Sequence, residues 1–318
     1  MILSVTLNPC IDRAMFFDSV RLNDTNRAIR SERDAGGKGV NVSRVVAHLG
    51  GRTVATGFLG GGTGVTVSEI LDRDGVELAF TEIEGETREN VSIEDLSGAA
   101  PTTFNDPGPV ISEAEARRFL ITLEVQLGNA EWLTIGGSNP RGIPSDFITQ
   151  IVIRAQERGV KVCVDADGAV LQSGLVGRPH FIKPNRKESE RLLGRTLSTP
   201  SEVVDASREV LTLLDEGPDC FAVISLGEGG AVLSTRSETY VGSCPLVSVR
   251  STVGCGDSLV AGVLWALQGG CTHEEALRWG IAAGASTATS DGCDIGTAQM
   301  ARELFERVSV VPHSKFSS

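Results

Sequence analysis

The sequence lacks the features that mark zinc-binding, disulfide-stabilised and membrane-spanning proteins. Its seven cysteines, scattered from Cys10 to Cys293, include no Cys-x-x-Cys pair, and its four histidines show no metal-ligand spacing. No apolar run approaches the roughly 18 residues that span a bilayer, and the first residues form no basic, apolar leader. An odd number of scattered cysteines fits a reducing compartment. We therefore expect a soluble, cytoplasmic protein without a structural metal.

Positive charge is also scarce. The chain has 29 Lys and Arg residues against 41 Asp and Glu residues, a formal net charge of −12. A field of this sign disfavours a polyanionic backbone, although a local basic pocket can still bind a small anion. We expect a small-molecule partner, and neither a nucleic acid nor a membrane.

Three common catalytic signatures are absent as well. A Walker loop is excluded because Glu32 stands where its first glycine belongs and Gly39 stands where it needs Ser or Thr. The glycine-rich segment 60–65 lacks the last glycine of the dinucleotide fingerprint. Pro140 breaks the nucleophile elbow that Gly136-Gly137-Ser138 would otherwise begin.

Short apolar runs alternate with helical patterns along the 318 residues, which predicts an α/β fold with a parallel sheet and crossover helices. The capping pair Ser112 and Glu115 predicts one helix start, and Ser145 predicts another. The predicted strands are Ile2–Leu7, Thr53–Leu59, Trp132–Ile135, Val160–Val164, Phe181–Ile182 and Phe221–Leu226.

Two segments, at about 12–35 and 87–105, interrupt this alternation. They lack helical periodicity and have the pattern of strands, and each leaves the α/β rhythm and returns to it. Together they predict a small accessory sheet that forms a lid or a dimer surface. We assign residues 1–311 to a single domain with these two insertions, and 312–318 to a polar tail.

The strongest functional signal is segment 251–258, STVGCGDS, which leads into an amphipathic helical pattern. A Gly-x-Gly turn before a helix leaves backbone N–H groups unpaired at the positive end of the helix dipole, where they can bind a phosphoryl group. Asp257 lies at the same point and could accept the proton of an attacking hydroxyl. Taken alone, the motif is more often a tight turn with a capping carboxylate.

A second glycine-rich segment, Gly36-Gly37-Lys38-Gly39-Val40-Asn41, also precedes a helix. Its glycines allow a close approach of the backbone to a ligand, while Lys38 and Asn41 supply a charge and an amide for phosphate or hydroxyl groups. A flexible turn before a helix explains the segment equally well.

Two further motifs follow predicted strands. In Lys183-Pro184-Asn185-Arg186-Lys187-Glu188, the residues Asn185 and Glu188 form a capping box and could also hold water around Mg²⁺. Segment 225–230, SLGEGG, resembles a nucleotide-contacting turn and could equally be a hairpin turn into 231–235.

In this order the motifs resemble the phosphofructokinase B branch of the ribokinase-like carbohydrate kinase family. The resemblance runs from Ile2 to Val308, and within the branch it is greatest to 1-phosphofructokinase and tagatose-6-phosphate kinase, with the minor bacterial 6-phosphofructokinase close behind. The elements that carry it are Asn8-Pro9-x-x-Asp12, Gly-Gly-Lys-Gly-x-Asn, Thr87-Arg88, Gly137-Ser138-x-Pro140, Lys-Pro-Asn-x-x-Glu, Ser-Leu-Gly and the STVGCGDS segment.

The resemblance implies a doubly wound, mostly parallel sheet flanked by helices, with a β lid that often pairs in a homodimer. It implies ATP and Mg²⁺ as co-substrate and leaves a monovalent cation open. It implies a catalytic base at Asp257 and an anion hole at Gly254, Cys255 and Gly256. The implied sugar-phosphate residues are Asp12, Gly37, Lys38, Asn41, Arg88 and Ser138. The implied residues for ATP and Mg²⁺ are Lys183, Asn185, Glu188, Ser225, Gly227 and Gly230, with Asn185 and Glu188 at the metal through water.

The function that follows is transfer of the γ-phosphoryl group of ATP to fructose 1-phosphate, because Lys38 and Arg88 would clamp a phosphate that a plain-sugar kinase does not meet. Arg27 on the predicted lid is a third candidate for binding the substrate phosphate, and a solvated surface residue is its alternative interpretation. Tagatose 6-phosphate, fructose 6-phosphate and a catalytically silent sugar-phosphate sensor are the alternatives.

The chain departs from the family pattern at Cys255, Asn139 and Arg141. Because an anion hole binds through the backbone N–H, we expect activity to survive the change to Cys255. Sensitivity of the enzyme to thiol reagents is a further expectation.

Overall fold

The computed structural model describes residues 1–98 and 100–313, where helices and strands alternate along most of the chain. The strands are β1 (Ile2–Thr6), β2 (Cys10–Phe17), β3 (Arg30–Gly36), β4 (Thr53–Leu59), β5 (Glu77–Leu78), β6 (Thr81–Glu82), β7 (Arg88–Asp95), β8 (Thr102–Phe104), β9 (Trp132–Gly136), β10 (Lys161–Asp165), β11 (Phe181–Ile182), β12 (Phe221–Ser225), β13 (Ala231–Thr235), β14 (Thr239–Ser243) and β15 (Ser309–Pro312). The helices are α1 (Lys38–His48), α2 (Gly61–Arg73), α3 (Glu113–Leu127), α4 (Phe147–Glu157), α5 (Gly168–Val176), α6 (Arg186–Leu193), α7 (Pro200–Leu211), α8 (Cys255–Gln268), α9 (His273–Ala288) and α10 (Ala298–Phe305).

The main sheet runs in the order β15-β14-β13-β12-β11-β10-β9-β1-β4-β5, with β6 also paired to β4. From β12 to β5 the neighbouring strands are parallel, and β13, β14 and β15 extend the sheet in antiparallel pairs. The first strand lies inside the sheet: Val5 pairs with Thr56 on one side and Ile135 on the other. Strands β4 and β5 therefore lie on one side of β1, and the later strands β9 to β15 lie on the other. Such a reversal of strand order places a crevice at the carboxyl ends of β1 and β9.

Helices cover both faces of this sheet. The periodic residues of α1, Val42, Val45 and Val46, pack with α8, α9 and α10 on one face. On the other face Phe119 of α3 packs against Phe147 of α4, with ring centroids 5.9 Å apart and ring planes tilted by 41°. The apolar runs of the parallel strands are buried between these layers, as two-sided coverage requires. This is the predicted doubly wound α/β architecture.

A separate small sheet has the order β3-β2-β7-β8. Strand β2 pairs with β3 in antiparallel fashion and with β7 in parallel, so the segments predicted at about 12–35 and 87–105 meet in one sheet. Ile11 and Ala35 of this sheet pack against Val67, Ile70 and Leu71 of α2. The accessory sheet that the sequence predicts is confirmed.

The six predicted strands of the main sheet are present, with ends that differ by at most one residue. The capping box at Ser112 and Glu115 is present, but the cap predicted at Ser145 is wrong. The N–H of Phe147 donates to the Pro144 carbonyl, which makes a turn ahead of α4 and places Ser145 outside the cap position.

The C-terminal region contains one strand that the sequence pattern did not predict. Only four residues long, β15 lies at the edge of the main sheet, and its last residue, Pro312, pairs with Tyr240. Pro312 falls in the segment predicted as a tail, of which residues 314–318 lie outside the described part of the chain. No helix in the described ranges combines the length and hydropathy of a membrane-spanning segment.

Candidate active site

The predicted site residues come together at the carboxyl edge of the main sheet. Asp165 ends β10, Lys183 follows β11, and Lys38 opens α1 directly above the end of β9. A Cβ added at Gly136, the last residue of β9, would lie 2.6 Å from Cβ of Lys38, so the lysine packs tightly on this strand end. The crevice at the reversal point of the sheet is therefore lined by charged side chains.

The first turn of α8 forms a cluster of free backbone amides. Gly254 is the N-cap residue with φ of 73°, a left-handed conformation in which glycine avoids a Cβ clash. The N–H of Ser258 donates to the Gly254 carbonyl, whereas no acceptor within the described residues reaches the N–H groups of Gly256 and Asp257. Unpaired amides at a helix N-terminus, together with the helix dipole, favour a bound anion. The first turn of α8 thus presents unpaired N–H groups at the place where the sequence predicts an anion hole.

Asp257 does not cap the helix. Its carboxylate is buried, at 7% exposure, and accepts a hydrogen bond of 2.8 Å from Nδ2 of Asn41. Burial, and then the negative charge of Asp165, raise the pKa of Asp257 to about 6. The ammonium groups of Lys38 and Lys183 and the Asn41 amide act in the opposite direction and are outweighed. Asp257 is therefore mostly ionised at neutral pH and close to the value that suits a general base.

A buried carboxylate that the sequence analysis did not select joins two of the predicted lysines. Oδ1 of Asp165 lies 3.1 Å from Nζ of Lys38 and 3.4 Å from Nζ of Lys183. Burial by itself would raise the pKa of Asp165, but the two ammonium groups together hold it below its ordinary value. The pKa of Lys38 is raised, because Asp165 and Asp257 outweigh the opposing effect of burial. Lys38 is thus charged, and its contact and that of Lys183 with Asp165 fix both side chains in place.

Lys183 also borders the amide cluster. A Cβ added at Gly256 would lie 3.2 Å from Nζ of Lys183, so the ammonium group lies against the first turn of α8. A positive charge beside unpaired N–H groups in a water-poor site stabilises negative charge that develops during a reaction. This corner of the site suits a transferring phosphoryl group.

The predicted sugar-side residues Asp12, Arg88 and Ser138 lie between the small sheet and the ends of β1 and β9. Two asparagines, to which the sequence analysis gave no role, connect them. Asn90 donates to Oδ1 of Asp12 at 2.8 Å, and Asn8 donates to Oγ of Ser138 at 3.3 Å. These predicted residues therefore form one hydrogen-bonded group rather than scattered contacts.

Arg88 is held mainly by backbone carbonyls. Nε and Nη2 donate to the Asn8 carbonyl at 3.1 and 3.0 Å, and Nη1 donates to the Asp106 carbonyl at 2.8 Å and approaches Oδ1 of Asn90 at 3.5 Å. Because a guanidinium carries five N–H groups, a single Nη2 N–H has no acceptor among the described residues. A bidentate contact of Arg88 with a phosphate would require the guanidinium to give up its hydrogen bond to the Asn8 or the Asp106 carbonyl. No contact in the described residues joins Arg88 to Lys38.

The Gly-Gly-Lys segment makes room for Asp12. A Cβ added at Gly36 would lie 2.0 Å from Oδ2 of Asp12, so only glycine fits beneath this carboxylate. Gly37 follows with φ of 118°, a conformation that other residues rarely adopt. The segment is therefore a constrained connection from β3 into α1, and not the flexible turn that was its alternative explanation.

The residues predicted for ATP lie at the ends of β11 and β12. Oδ1 of Asn185 accepts from the Glu188 N–H at 2.9 Å, and Oε2 of Glu188 accepts from the Asn185 N–H at 2.8 Å, which confirms the capping box. Asn185 also forms a bridge with Ser225.

Segment 225–230 turns from β12 into β13, so its alternative interpretation as a hairpin is correct. Gly230, with φ of 91°, lies so close to β14 that a Cβ would be 2.1 Å from the Gly242 carbonyl.

The donor set fits Mg²⁺ bound through water rather than directly. The described residues contain no cluster of three or more His, Cys, Asp or Glu side chains that could hold a metal. Oδ2 of Asp165 is buried without a hydrogen-bond partner in the described part of the chain, and Glu188 uses one of its two oxygens in the capping box. Carboxylate oxygens of this kind bind the water shell that Mg²⁺ keeps.

The side chain of Cys255 is partly buried at the start of α8. Burial, and then the charge of Asp257, raise the pKa of the Cys255 thiol to about 11, so at neutral pH the reactive thiolate is scarce. We expect Cys255→Ala to keep at least about half of the wild-type kcat, and iodoacetamide at pH 7 to inactivate the wild-type enzyme slowly. A rapid loss of activity that Cys255→Ala abolishes would contradict this assignment.

The chain matches a known protein family over most of its length. Residues 5–300 match the model of the pfkB family of carbohydrate kinases. Phosphofructokinase-2 from Escherichia coli, solved in complex with substrates and products, is 30% identical with a TM-score of 0.89, covering 96% of this chain and 98% of that one. A possible 1-phosphofructokinase from Thermotoga maritima is 27% identical with a TM-score of 0.85, covering 99% and 100%.

Other structures extend the comparison. Ribokinase from Arabidopsis thaliana, at 21% identity and a TM-score of 0.76 over 96% of this chain and 98% of that one, shows the shared fold. The Escherichia coli protein has also been solved in complex with potassium and in a tetrameric inhibited form. The matched family, the fold and the site lead to one conclusion: the chain belongs to the pfkB family of carbohydrate kinases.

Proposed function

We propose that this carbohydrate kinase transfers the γ-phosphoryl group of ATP to fructose 1-phosphate, giving fructose 1,6-bisphosphate, in the cytoplasm. The observation that carries the proposal is the position of Asp257. It is a buried, largely ionised carboxylate fixed by Asn41 at the edge of an amide cluster. An acceptor hydroxyl above this carboxylate would meet a base and a phosphoryl site at the same point.

The phosphoryl transfer needs only ATP and the acceptor sugar as reactants. The acceptor hydroxyl of the sugar loses its proton to Asp257 as its oxygen forms a bond to the γ-phosphorus. The bond from that phosphorus to the β,γ-bridging oxygen breaks, and ADP leaves with the electron pair. The N–H groups of Gly256 and Asp257 and the ammonium of Lys183 stabilise charge on the equatorial oxygens during the transfer.

ATP and Mg²⁺ would lie at the ends of β11 and β12. Lys183 would contact phosphate, Asn185 and Glu188 would hold water of the metal, and Ser225, Gly227 and Gly230 would border the nucleotide. When bound, MgATP supplies the phosphoryl group and a divalent charge. Because the Escherichia coli protein has been solved with potassium, activity measured with and without potassium tests whether this chain needs a monovalent cation.

The sugar phosphate would lie beneath the small sheet, which we propose acts as a lid. Asp12, Asn41 and Ser138 can meet hydroxyl groups, and Gly37 allows a close approach of the backbone. The ammonium group of Lys38 and the N–H of Arg88 that has no acceptor among the described residues would bind the substrate phosphate. Arg27, the third candidate, is exposed on the β2–β3 connection. Tagatose 6-phosphate and fructose 6-phosphate are the alternative acceptors on the same machinery.

The small sheet also supports a proposed homodimer. It and its connections carry large apolar side chains that are more than half exposed, at Leu22, Ile29, Leu96 and Phe104. Exposed apolar residues gathered on one element are typical of a protein interface. Sedimentation equilibrium at micromolar concentration tests this proposal, and a monomer would contradict it.

The test of the proposed function is a coupled ADP-release assay with MgATP and four acceptors: fructose 1-phosphate, tagatose 6-phosphate, fructose 6-phosphate and unphosphorylated fructose. We expect the highest kcat/KM with fructose 1-phosphate. A preference for a 6-phosphate keeps the mechanism and changes the substrate. Turnover of plain fructose alone contradicts the role of Lys38 and Arg88, and binding of sugar phosphate without any turnover favours the sensor.

A further inference from the structure

Asn90 is the side chain that joins two of the proposed sugar-phosphate residues. It lies on β7, directly opposite Asp12 of β2 in the parallel pair, and is only 8% exposed. Its Nδ2 donates to Oδ1 of Asp12 at 2.8 Å, and its Oδ1 accepts from the Asp106 N–H at 3.2 Å. A carboxylate only accepts and an amide N–H only donates, so these two partners fix the orientation of the Asn90 amide.

The contacts of Asn90 decide what remains available to a ligand. With Oδ1 of Asp12 bonded to Asn90 and to the Cys10 thiol, the other carboxylate oxygen, above Gly36, has no hydrogen-bond partner in the described residues. Oδ1 of Asn90 also lies 3.5 Å from Nη1 of Arg88. One oxygen of Asp12 and one N–H of Arg88 thus have no hydrogen-bond partner among the described residues.

Asn8 completes the arrangement from the main sheet. Its carbonyl accepts from Nε and Nη2 of Arg88, and its Nδ2 donates to the Pro107 carbonyl at 3.2 Å. The connection after β8 is therefore held between Arg88, Asn8 and Asn90. The small sheet meets the main sheet through this group, so the relative position of Asp12 and Arg88 depends on amide hydrogen bonds rather than on packing alone.

We propose that Asn90 is a positioning residue for acceptor binding: it orients the Asp12 carboxylate toward the sugar and keeps Arg88 beside it. The inference rests on the proposed role of Asp12 and Arg88 at the sugar phosphate. Asn90 itself has no free polar atom, because both ends of its amide are occupied by protein groups. It acts through its neighbours, and no hydrogen bond within the described residues joins it to the nucleotide residues beyond β11.

The variant Asn90→Asp tests this role with almost no change in shape. It replaces the donor that faces Asp12 with an oxygen, so two like charges meet where the wild type has a hydrogen bond of 2.8 Å. Above neutral pH the repulsion turns Asp12 away, and we expect Kd and KM for the sugar phosphate to rise by about tenfold or more. At pH 6 one carboxyl of the pair binds a proton and can donate as the amide did, so part of the loss is recovered.

The comparison variants separate positioning from folding. Asn90→Ala removes the donor without adding charge, so it raises the sugar Kd at both pH 6 and pH 8 with no recovery. Asn129→Asp makes the same chemical change on an exposed connection after α3 and leaves both ligands unaffected. For all variants, we expect KM for MgATP and binding of an ATP analogue to stay within about twofold of wild type.

Calorimetric binding of the sugar phosphate and steady-state kinetics, each at pH 6 and pH 8, decide the outcome. The acceptor is the one that binds the wild-type enzyme most tightly in the panel, so failure of fructose 1-phosphate changes the ligand and leaves this test intact. A sugar Kd unchanged in Asn90→Asp and Asn90→Ala overturns the proposal. So does a parallel rise in the ATP constants, or an Asn90→Asp defect that is the same at both pH values.

Discussion

Replacing Asp257 with Asn is expected to lower kcat by at least about 10²-fold while leaving sugar-phosphate and ATP binding nearly unchanged. The loss follows because the amide cannot accept the acceptor proton, and general-base catalysis contributes about 10²- to 10⁴-fold. The shape of the site survives, since an amide oxygen can still accept the hydrogen bond that Asn41 donates. Single-turnover kinetics, which isolate the chemical step, are the measurement of choice.

The same substitution is expected to stabilise the protein. The pKa of Asp257 rises from 3.8 to about 6 on folding, so between these values the folded state binds more protons and stability falls as pH rises. Above pH 6 the full cost of the buried charge is present, about 3 kcal/mol by the shift of roughly two units. Asp257→Asn removes this cost, so its melting temperature should exceed that of wild type at pH 8, and the gain should vanish near pH 4.

The wild-type enzyme supplies an independent readout of the same group. Because the base must be ionised, kcat/KM should fall about tenfold per pH unit below pH 6 and level off above it. Asp219→Asn, which removes an exposed carboxylate paired with Lys161, is the matched control and should change neither activity nor stability measurably. Near-normal kcat in Asp257→Asn, or a loss of stability, would contradict the assignment of Asp257 as a buried base.

The parts of this site that sequence reasoning could predict are those in which the chemistry is local. The anion hole needs a Gly-x-Gly turn, a following helix and a carboxylate within four residues, and all of these stand together from Gly254 to Asp257. The capping box of Asn185 and Glu188 is local in the same way. A short motif fixes such geometry because the backbone connects every atom involved.

Asp165 could not be selected in this way, because its importance depends on two lysines that reach it from distant parts of the chain. Lys38 lies 127 positions earlier and belongs to α1. The available signal was weaker: Asp165 is a carboxylate directly after a buried apolar run, at the strand end where ligands of parallel sheets bind.

Arg88 illustrates the opposite limit. The sequence shows a cation beside a motif, but the number of its N–H groups left for a ligand depends on where the carbonyls of Asn8 and Asp106 lie. Those positions are set by the meeting of the small sheet with the main one, and no local pattern encodes it. The β15 strand escaped prediction for a similar reason, because a four-residue edge strand has too few positions to show its alternation.

Replacing Asp165 with Asn is expected to have the reverse effect on stability from the change at Asp257, although both residues are buried aspartates. Asp165 is paired, and its loss leaves the ammonium of Lys183, 4% exposed, and that of Lys38, 33% exposed, without a shared counter-charge. Breaking a buried pair in this way costs about 3 kcal/mol or more. Chemical denaturation at pH 7.5 should therefore show a marked loss for Asp165→Asn.

Activity should fall in the same variant through a change in the base. Without Asp165 the two lysines are drawn toward Asp257, and the nearby negative charge that helps to raise the pKa of Asp257 is gone. The pKa of Asp257 should drop, which weakens it as a base and moves the acid limb of the kcat/KM profile to lower pH. We expect a loss in kcat of about 10²-fold.

A double-mutant cycle separates this electrostatic account from a simple loss of packing. Lys38→Met removes one of the two stranded charges, so adding it to Asp165→Asn should cost less stability than the sum of the two single changes. Asp167→Asn is the matched control, because Asp167 is exposed, pairs with Arg191 and caps α5, a role that asparagine keeps. Strict additivity in the cycle, or an acid limb that stays near pH 6 in Asp165→Asn, would show that Asp165 does not hold the two lysines electrostatically, and that Asp257 owes its raised pKa to burial alone.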